Sequence, residues 1–385
     1  MDQKTILGYE SSKELKEIIA IYNPKKIMLV TGKSSYEICG AKKTIEEACV
    51  GIEIKRFYEI SKNPDIESLK KCLDFYNSFN PEMIISIGGG AAIDIGKATA
   101  IMATQKQEKV EDYVKGKSQS QNRIIHFIAI PTTFGTGSES THFSVIYDGT
   151  VKYSFAHPSM LPDIAIVDSK FAYSLSKKIK ATTVFDALSQ AIESYWSINS
   201  TNESQKYSIE SMKILGQNIV NYVNDKYLDE NQKKELFTNI AKGANLAGKA
   251  INIAKTTAAH AASYPLSGHF NVDHGQAVAL TIPGFVLYNS HVTEKDCNDP
   301  RGFDHVKKIM QKLPEFFGKC SVEELKNYLT ETMKQSGLKT DLKGLGVENE
   351  IDLIIKEGFN PQRVKNNPRT VTEKALRAIL EEIQR

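Results

Sequence analysis

Six short runs rich in β-forming residues fall within the first 170 residues of this chain, and strand-like runs stop after about residue 180. The runs are KIMLVTG (26–32), IEIKRFY (52–58), MIISIGGG (83–90), IIHFIAIPTT (124–133), FSVIYD (143–148) and DIAIVD (163–168). Most are continuously apolar rather than alternating, and helical stretches separate them. A strand that is apolar on both faces must be covered on both faces. The pattern therefore predicts a parallel sheet with helices on either side. Beyond that point SQKYSIESMKILGQNIVNYVND (204–225), KKELFTNIAKGANLAGKAINIAK (233–255) and FDHVKKIMQKLPEFF (303–317) read as helices. TVTEKALRAILEEIQR (370–385) reads as another, opened by a capping box from Thr370 to Glu373. A chain of 385 residues can bury two cores. The expected division is an α/β domain over 1–180 and an all-helical domain over 181–385, with 291–304 as an irregular loop.

Several classes are excluded on composition. The net charge is +3, and no cluster of Lys and Arg marks a nucleic-acid footprint. Cys39, Cys49, Cys72, Cys297 and Cys320 are scattered and form no CxxC pair, so neither a disulfide framework nor a cysteine metal site is expected. The opening MDQKTILGYESSKELKEIIA has no apolar signal-peptide core. The most apolar region, 256–290, is broken by His260, Pro265, His269, Asp273, His274 and Pro283, so it cannot be a membrane span of ~20 apolar residues. The expectation is a reduced, soluble, cytoplasmic protein with no membrane and no nucleic-acid partner.

Two loops carry binding chemistry. In IISIGGGAAIDIGKA (84–98) a strand runs into Gly88, Gly89 and Gly90 and then a helix start. Glycines let backbone N–H groups approach an anion closely, and the helix N-terminus adds partial positive charge. In PTTFGTGSES (131–140) another strand ends in Thr132, Thr133, Gly135, Thr136, Gly137 and Ser138, uncharged donors suited to phosphate or ribose. Two such loops on one sheet suggest a dinucleotide across the strand ends; the alternative is two ordinary turns. Farther on, DALSQAIES (186–194) puts Asp186 and Gln190 four residues apart, on one face of a helix. That spacing can present two ligands to one metal ion, although Gln is an unusual choice where His is the common ligand.

These stretches resemble the iron-containing (group III) alcohol dehydrogenases. GGGAAIDIGK looks like that family's GGGSxxDxAK signature, and PTTFGTGSE matches its PTTxGTGSE run. LPDIAIVD (161–168), DALSQAIES, HAASYPLSGHFNVDHG (260–275) and NNPRTVT (366–372) follow in family order. The resemblance implies a Rossmann-like N-terminal domain and a helical C-terminal domain, an architecture shared with dehydroquinate synthase. It also implies an NADP or NAD cofactor, a divalent metal between the domains (Fe2+ expected, Zn2+ or Mn2+ as alternatives), a small aldehyde or alcohol substrate, and a homodimer. Asp94 falls beside the pyrophosphate loop, and Lys152 falls where the family places a lysine near the cofactor. The family's metal ligands, Asp and three His, fall on Asp186, Gln190, His260 and His274. Gln190 either ligates through its amide oxygen, which makes a weaker site, or is a polar core residue.

Further departures from the family pattern bear on substrate and cofactor. Tyr264 stands where the family often has a proton-relay His, and His269, five residues on, is a substitute donor. Lys255 lies five residues before His260, His142 follows the second loop, and Arg363, Lys365 and Arg369 cluster near the C-terminus. Basic side chains near a carbonyl-reducing site would suit an anionic substrate. THFSVIY, SQAIESYWS, TTAAHAASYPL and RVKNNPR together resemble the phosphonoacetaldehyde reductases. Where NAD-preferring relatives commonly carry Asp after the first strand, this chain has Gly32, followed by Lys33 and Ser34, which favours NADP. The resemblance thus implies a metal-dependent NAD(P)H-linked aldehyde reductase. The alternatives are a general short-chain alcohol or glycerol-type polyol dehydrogenase, a dehydroquinate-synthase-like lyase, and an inactive nucleotide-binding homologue.

Overall fold

A computed structural model of the chain describes residues 3–359 and 364–385. It divides into two compact units, one of residues up to Leu175 together with Glu230–Ala241, the other of Ser176–Asp229 with Lys242–Arg385.

The first unit is built on eight strands: β1 (Lys4–Gly8), β2 (Lys26–Thr31), β3 (Glu53–Phe57), β4 (Met83–Gly88), β5 (His126–Pro131), β6 (Phe143–Asp148), β7 (Val151–Ala156) and β8 (Ile164–Asp168). Six of them form one sheet in the order β1-β8-β5-β4-β2-β3, with every neighbouring pair parallel. The continuous apolar runs are explained by what covers each face. Along β2, Ile27 and Leu29 join a core with the helices Leu15–Tyr22 and Ala41–Ala48. Met28 and Val30, pointing the other way, join a core with the helices Ile66–Phe79 and Gly90–Met102. β4 and β5 alternate between the same two cores.

FSVIYD is not part of this sheet. As β6 it pairs antiparallel with β7 through a tight turn in which Gly149 takes φ 60°. The sequence reading missed β7 and β1 because both are largely polar or half-exposed; β1 buries only Ile6.

In the second unit the described elements are all helices. Lys177–Trp196 is buried on nearly all faces and packs against Asn202–Val223 and His274–Ser290. Ala258–His269 packs on His274–Ser290 and on Ile351–Gly358. The helix near the C-terminus runs Glu373–Glu382 and is capped by Thr372, whose hydroxyl accepts from Ala375 N–H at 3.2 Å. The capping box expected from Thr370 therefore starts two residues late. The Thr370 carbonyl instead accepts from the Tyr288 hydroxyl at 2.5 Å. Among the described residues no helix is long and apolar enough to cross a membrane.

Candidate functional site

The strand order creates a switch point in the first unit. From β2 the chain moves outward to β3, then returns to the other side of β2 as β4. The connections leaving β2 and β4 therefore run in opposite directions across the sheet, and the carboxyl ends of such strands are where doubly wound sheets take a dinucleotide. Gly32 and Gly88 meet there: a Cβ built on Gly88 would stand 2.8 Å from Ala92 Cβ and 3.3 Å from the Gly32 nitrogen. The second loop nests against the first. A Cβ on Gly90 would stand 2.8 Å from Thr136 Cγ2, one on Gly89 would lie 3.4 Å from Thr133 Oγ1, and Thr132 N–H donates to the Gly88 carbonyl at 2.9 Å. Side chains at these three glycines would fill the cradle. The helix Gly90–Met102 starts at it, so its N-terminal partial charge faces any phosphate placed there. Lys33 and Ser34 are exposed beyond Gly32.

Asp94 takes a different part from the cofactor contact expected of it. Its carboxylate accepts from the Ser138 hydroxyl and from Val145 N–H at 3.0 Å, and it pairs with Lys97 at 3.4 Å. Lys97 is fully buried and also donates to the carbonyls of Ser138 (2.8 Å) and Phe143 and to the Thr141 hydroxyl (3.1 Å). Asp94 and Lys97 thus staple the PTTFGTGSE loop and β6 to the helix behind the glycines, with Ser138 as one of the stapled groups. Lys152 lies on β7, half-exposed. Arg56, which sequence reasoning passed over, braces the Gly32 loop. Its Nε donates to Thr31 Oγ1 at 2.7 Å, and its NH2 donates to the carbonyls of Gly32 at 2.9 Å and Lys33 at 2.7 Å.

The second unit brings Asp186, His260 and His274 together. Among the described residues this is the one group of His, Cys, Asp and Glu side chains that could hold a metal, with ligand atoms all within 4.8 Å of one another. Asp186 Oδ1 lies 3.4 Å from His260 Nε2 and 4.0 Å from His274 Nε2. Gln190, one turn after Asp186, is likewise buried. Two imidazoles and a carboxylate, with an amide oxygen one helical turn away, form a mixed N/O donor set that fits a first-row divalent metal. Gly275 makes the geometry possible. A Cβ there would stand 1.8 Å from the Thr182 carbonyl oxygen, so only glycine lets His274 approach the Asp186 helix.

Glu193 is the group the sequence reading missed. It lies seven residues after Asp186, on the same face of a helix that is buried along most of its length. One carboxylate oxygen bonds His260 Nδ1, and the other accepts from Thr257, Ala259 and His260 at the start of the helix Ala258–His269. Burial works against charge on His260, but Glu193 and Asp186 outweigh it and push the imidazole pKa up to about 9.

The remaining expected site residues divide. Tyr264 does join the trio: its ring stacks on His274 with centroids 6.1 Å apart at 14°. His269 does not. It ends the helix whose first turn carries His260, about 13 Å along the axis at 1.5 Å per residue, and it pairs with Glu357. Lys255 is exposed and closes the helix Glu230–Ala254 in a left-handed conformation, φ 61°. His142 is half-buried, and its carbonyl accepts from His157 N–H. Arg369 is committed elsewhere. It pairs with Asp296 at 2.8 Å, donates to the Tyr288 carbonyl at 2.7 Å and lies 4.2 Å over the Tyr288 ring. Lys365 is exposed, and Arg363 lies outside the described residues.

Comparison with known proteins agrees with this geometry. Residues 2–169 match the family model described as iron-containing alcohol dehydrogenase, and residues 180–384 match that of the Fe-containing alcohol dehydrogenase family, C-terminal. The NADPH-dependent butanol dehydrogenase of Clostridium saccharobutylicum is 28% identical over 97% of this chain and 94% of that protein. The phosphonoacetaldehyde reductase of Streptomyces viridochromogenes is 28% identical over 78% of this chain and 76% of that protein. Among solved structures, the sulfoacetaldehyde reductase from Bifidobacterium kashiwanohense in complex with NAD+ superposes with a TM-score of 0.88. It is 26% identical, covering 99% of this chain and 97% of that one.

Proposed function

The chain belongs to the iron-containing alcohol dehydrogenase family, and we propose that it is a metal-dependent, NAD(P)H-linked reductase of a small aldehyde bearing an anionic group, such as phosphonoacetaldehyde. The observation that carries the dehydrogenase reading is the trio Asp186, His260 and His274, the first two buried and the third partly exposed, with buried Gln190 one turn after Asp186. When bound, a nicotinamide cofactor supplies the hydride and a divalent metal, Fe2+ expected, supplies the Lewis acid that polarises a carbonyl. The chain's own residues do the rest. Gly88, Gly89, Gly90, Thr132, Thr133 and Thr136 form the dinucleotide cradle, with Lys33, Ser34 and Lys152 at its margins. Asp94 and Ser138 hold that cradle in shape. The Tyr264 ring stacks on His274, and its phenol is the group we assign to hand a proton to the product oxygen. The dinucleotide-binding part is 1–180, and the metal- and substrate-binding part is 181–385. We also propose a cytoplasmic homodimer.

The anionic substrate is supported by two relatives named for small aldehydes that carry an oxyanion group, and by Lys255, five residues before His260. A second reading, a neutral short-chain aldehyde, is favoured by the engagement of Arg369 with Asp296 and Tyr288 and by the likeness to a butanol dehydrogenase. Oxidation of NADPH and NADH with phosphonoacetaldehyde, sulfoacetaldehyde, propanal and butanal, with Fe2+, Zn2+, Mn2+ or a chelator, decides between them. Preference for the two anionic aldehydes supports the first reading. Equal or better turnover of butanal overturns it, and turnover of none of them points to an inactive homologue.

A further inference from the structure

Glu193 is completely buried. A carboxylate without water is costly unless its oxygens are fully hydrogen-bonded, and here they are. Oε1 accepts from Thr257 N–H (3.1 Å), the Thr257 hydroxyl (2.8 Å), Ala259 N–H (2.9 Å) and His260 N–H (3.2 Å). Oε2 bonds Nδ1 of His260. The Thr257 hydroxyl is itself fixed, accepting from Trp196 Nε1 at 2.9 Å. One carboxylate therefore ties down both the start of the helix Ala258–His269 and the ring that this start carries.

The two ring nitrogens are not equivalent. A carboxylate accepts only, so Nδ1 must be the N–H donor, and the lone pair of a neutral imidazole is then on Nε2. Nε2 is the atom that faces Asp186, at 3.4 Å. We propose that Glu193 is a positioning residue of the metal centre, fixing the His260 tautomer and ring orientation so that Nε2 is the ligand atom. This inference rests on the metal reading above. It adds to that reading a residue outside the ligand set that decides whether one ligand can bind.

Glu193→Gln separates the two duties, because an amide offers one oxygen and one NH2. If the oxygen takes the helix start, the NH2 faces Nδ1 and drives the ring proton onto Nε2, where it blocks ligation. If the amide is reversed, the helix start loses its acceptor. In either orientation the variant should bind Zn2+ and Co2+ about 10- to 100-fold more weakly than the wild type, the usual effect of removing such a partner. Chelator-competition titrations of the purified full chain measure this, and the visible spectrum of the Co2+ form reports the ligand geometry. Should the variant fail to fold, 15N–1H spectra of the Zn2+-loaded wild type carry the test: a His260 proton on Nδ1 is expected. Wild-type Zn2+ affinity in Glu193→Gln, or a His260 proton on Nε2 in the wild type, would overturn the inference and leave the metal reading standing. A wild type that binds neither Zn2+ nor Co2+ overturns both.

Discussion

Gly275 touches the backbone of Thr182 so closely that a Cβ on it would stand 1.8 Å from the carbonyl oxygen and 3.1 Å from Asp186 Cβ. The adjacent residue is His274, so the separation of the two helices and the separation of two candidate ligands are one quantity. Gly275→Ala must push backbone against backbone, which no side-chain rotation relieves. A cost at or above the usual ~1–3 kcal/mol of overpacking is expected, together with loss of metal affinity. Thermal melts with and without Zn2+ check both. A variant that melts and binds Zn2+ like the wild type would show that the helices tolerate separation.

The ligand set makes its own prediction. Asp186→Ala, His260→Ala and His274→Ala should each abolish turnover, and Gln190→His should bind metal at least as tightly as the wild type, since imidazole is a better ligand than an amide oxygen for these ions. Full activity in chelated, metal-free protein would refute the set. Affinity should also depend on pH in a definite direction. In the metal-free protein His260 holds its proton up to about pH 9. A metal must displace that proton, so apparent affinity should rise with pH towards that value and fall below it. A pH-independent Zn2+ affinity between pH 6 and pH 9 (assay values, roughly one titration range) would place another group at the metal.

Much of this was legible in the sequence. Strands β2, β4 and β5 announced themselves because both faces of the sheet are covered, which makes their central positions almost continuously apolar. Asp186, His260 and His274 were readable from their place in family motifs. What was hidden depends on partners distant in the chain. His269 looks like a spare donor until Glu357 is seen beside it, and Arg369 looks like an anion-binding group until Asp296 and Tyr288 take it up. Glu193 reads as an ordinary helix acid, and only the folded contact with Thr257–His260 reveals its task. Thr370 and Thr372 both stand near the start of the C-terminal helix; Thr372 caps it, while the backbone of Thr370 is held by Tyr288 and Asp296.

Lys255 offers a trade between stability and specificity. Its φ of 61° at a helix end is a conformation that glycine adopts without strain and a lysine does not. Lys255→Gly should stabilise the protein by about 1 kcal/mol. If the ammonium recognises an anionic aldehyde, the same change should cut kcat/KM for phosphonoacetaldehyde by ~1.5–3 kcal/mol, the worth of a charged hydrogen bond, while butanal is unaffected. Equal effects on both aldehydes would remove Lys255 from substrate recognition.

Cofactor choice turns on the loop after β2. Gly32 brings no carboxylate to repel a 2′-phosphate, and Lys33 and Ser34 are exposed beside it. Arg56 adds a fixed positive charge beneath this loop. Its guanidinium is held 4.6 Å over the Tyr36 ring and 4.9 Å over that of Tyr58 while it bonds the carbonyls of Gly32 and Lys33. A nearby arginine is how such folds accommodate the 2′-phosphate of NADP. NADPH should therefore be accepted at least as well as NADH. Arg56→Met should raise KM for NADPH more than KM for NADH. Gly32→Asp should swing the preference to NADH, and it is best made with Ser35→Ala, because the new Cβ would stand 2.3 Å from Ser35 Oγ. Steady-state KM for both cofactors in the wild type and these variants settles the matter. A clear NADH preference in the wild type would refute this account of Gly32 and Arg56, and the metal centre, built on other residues, would be untouched by it.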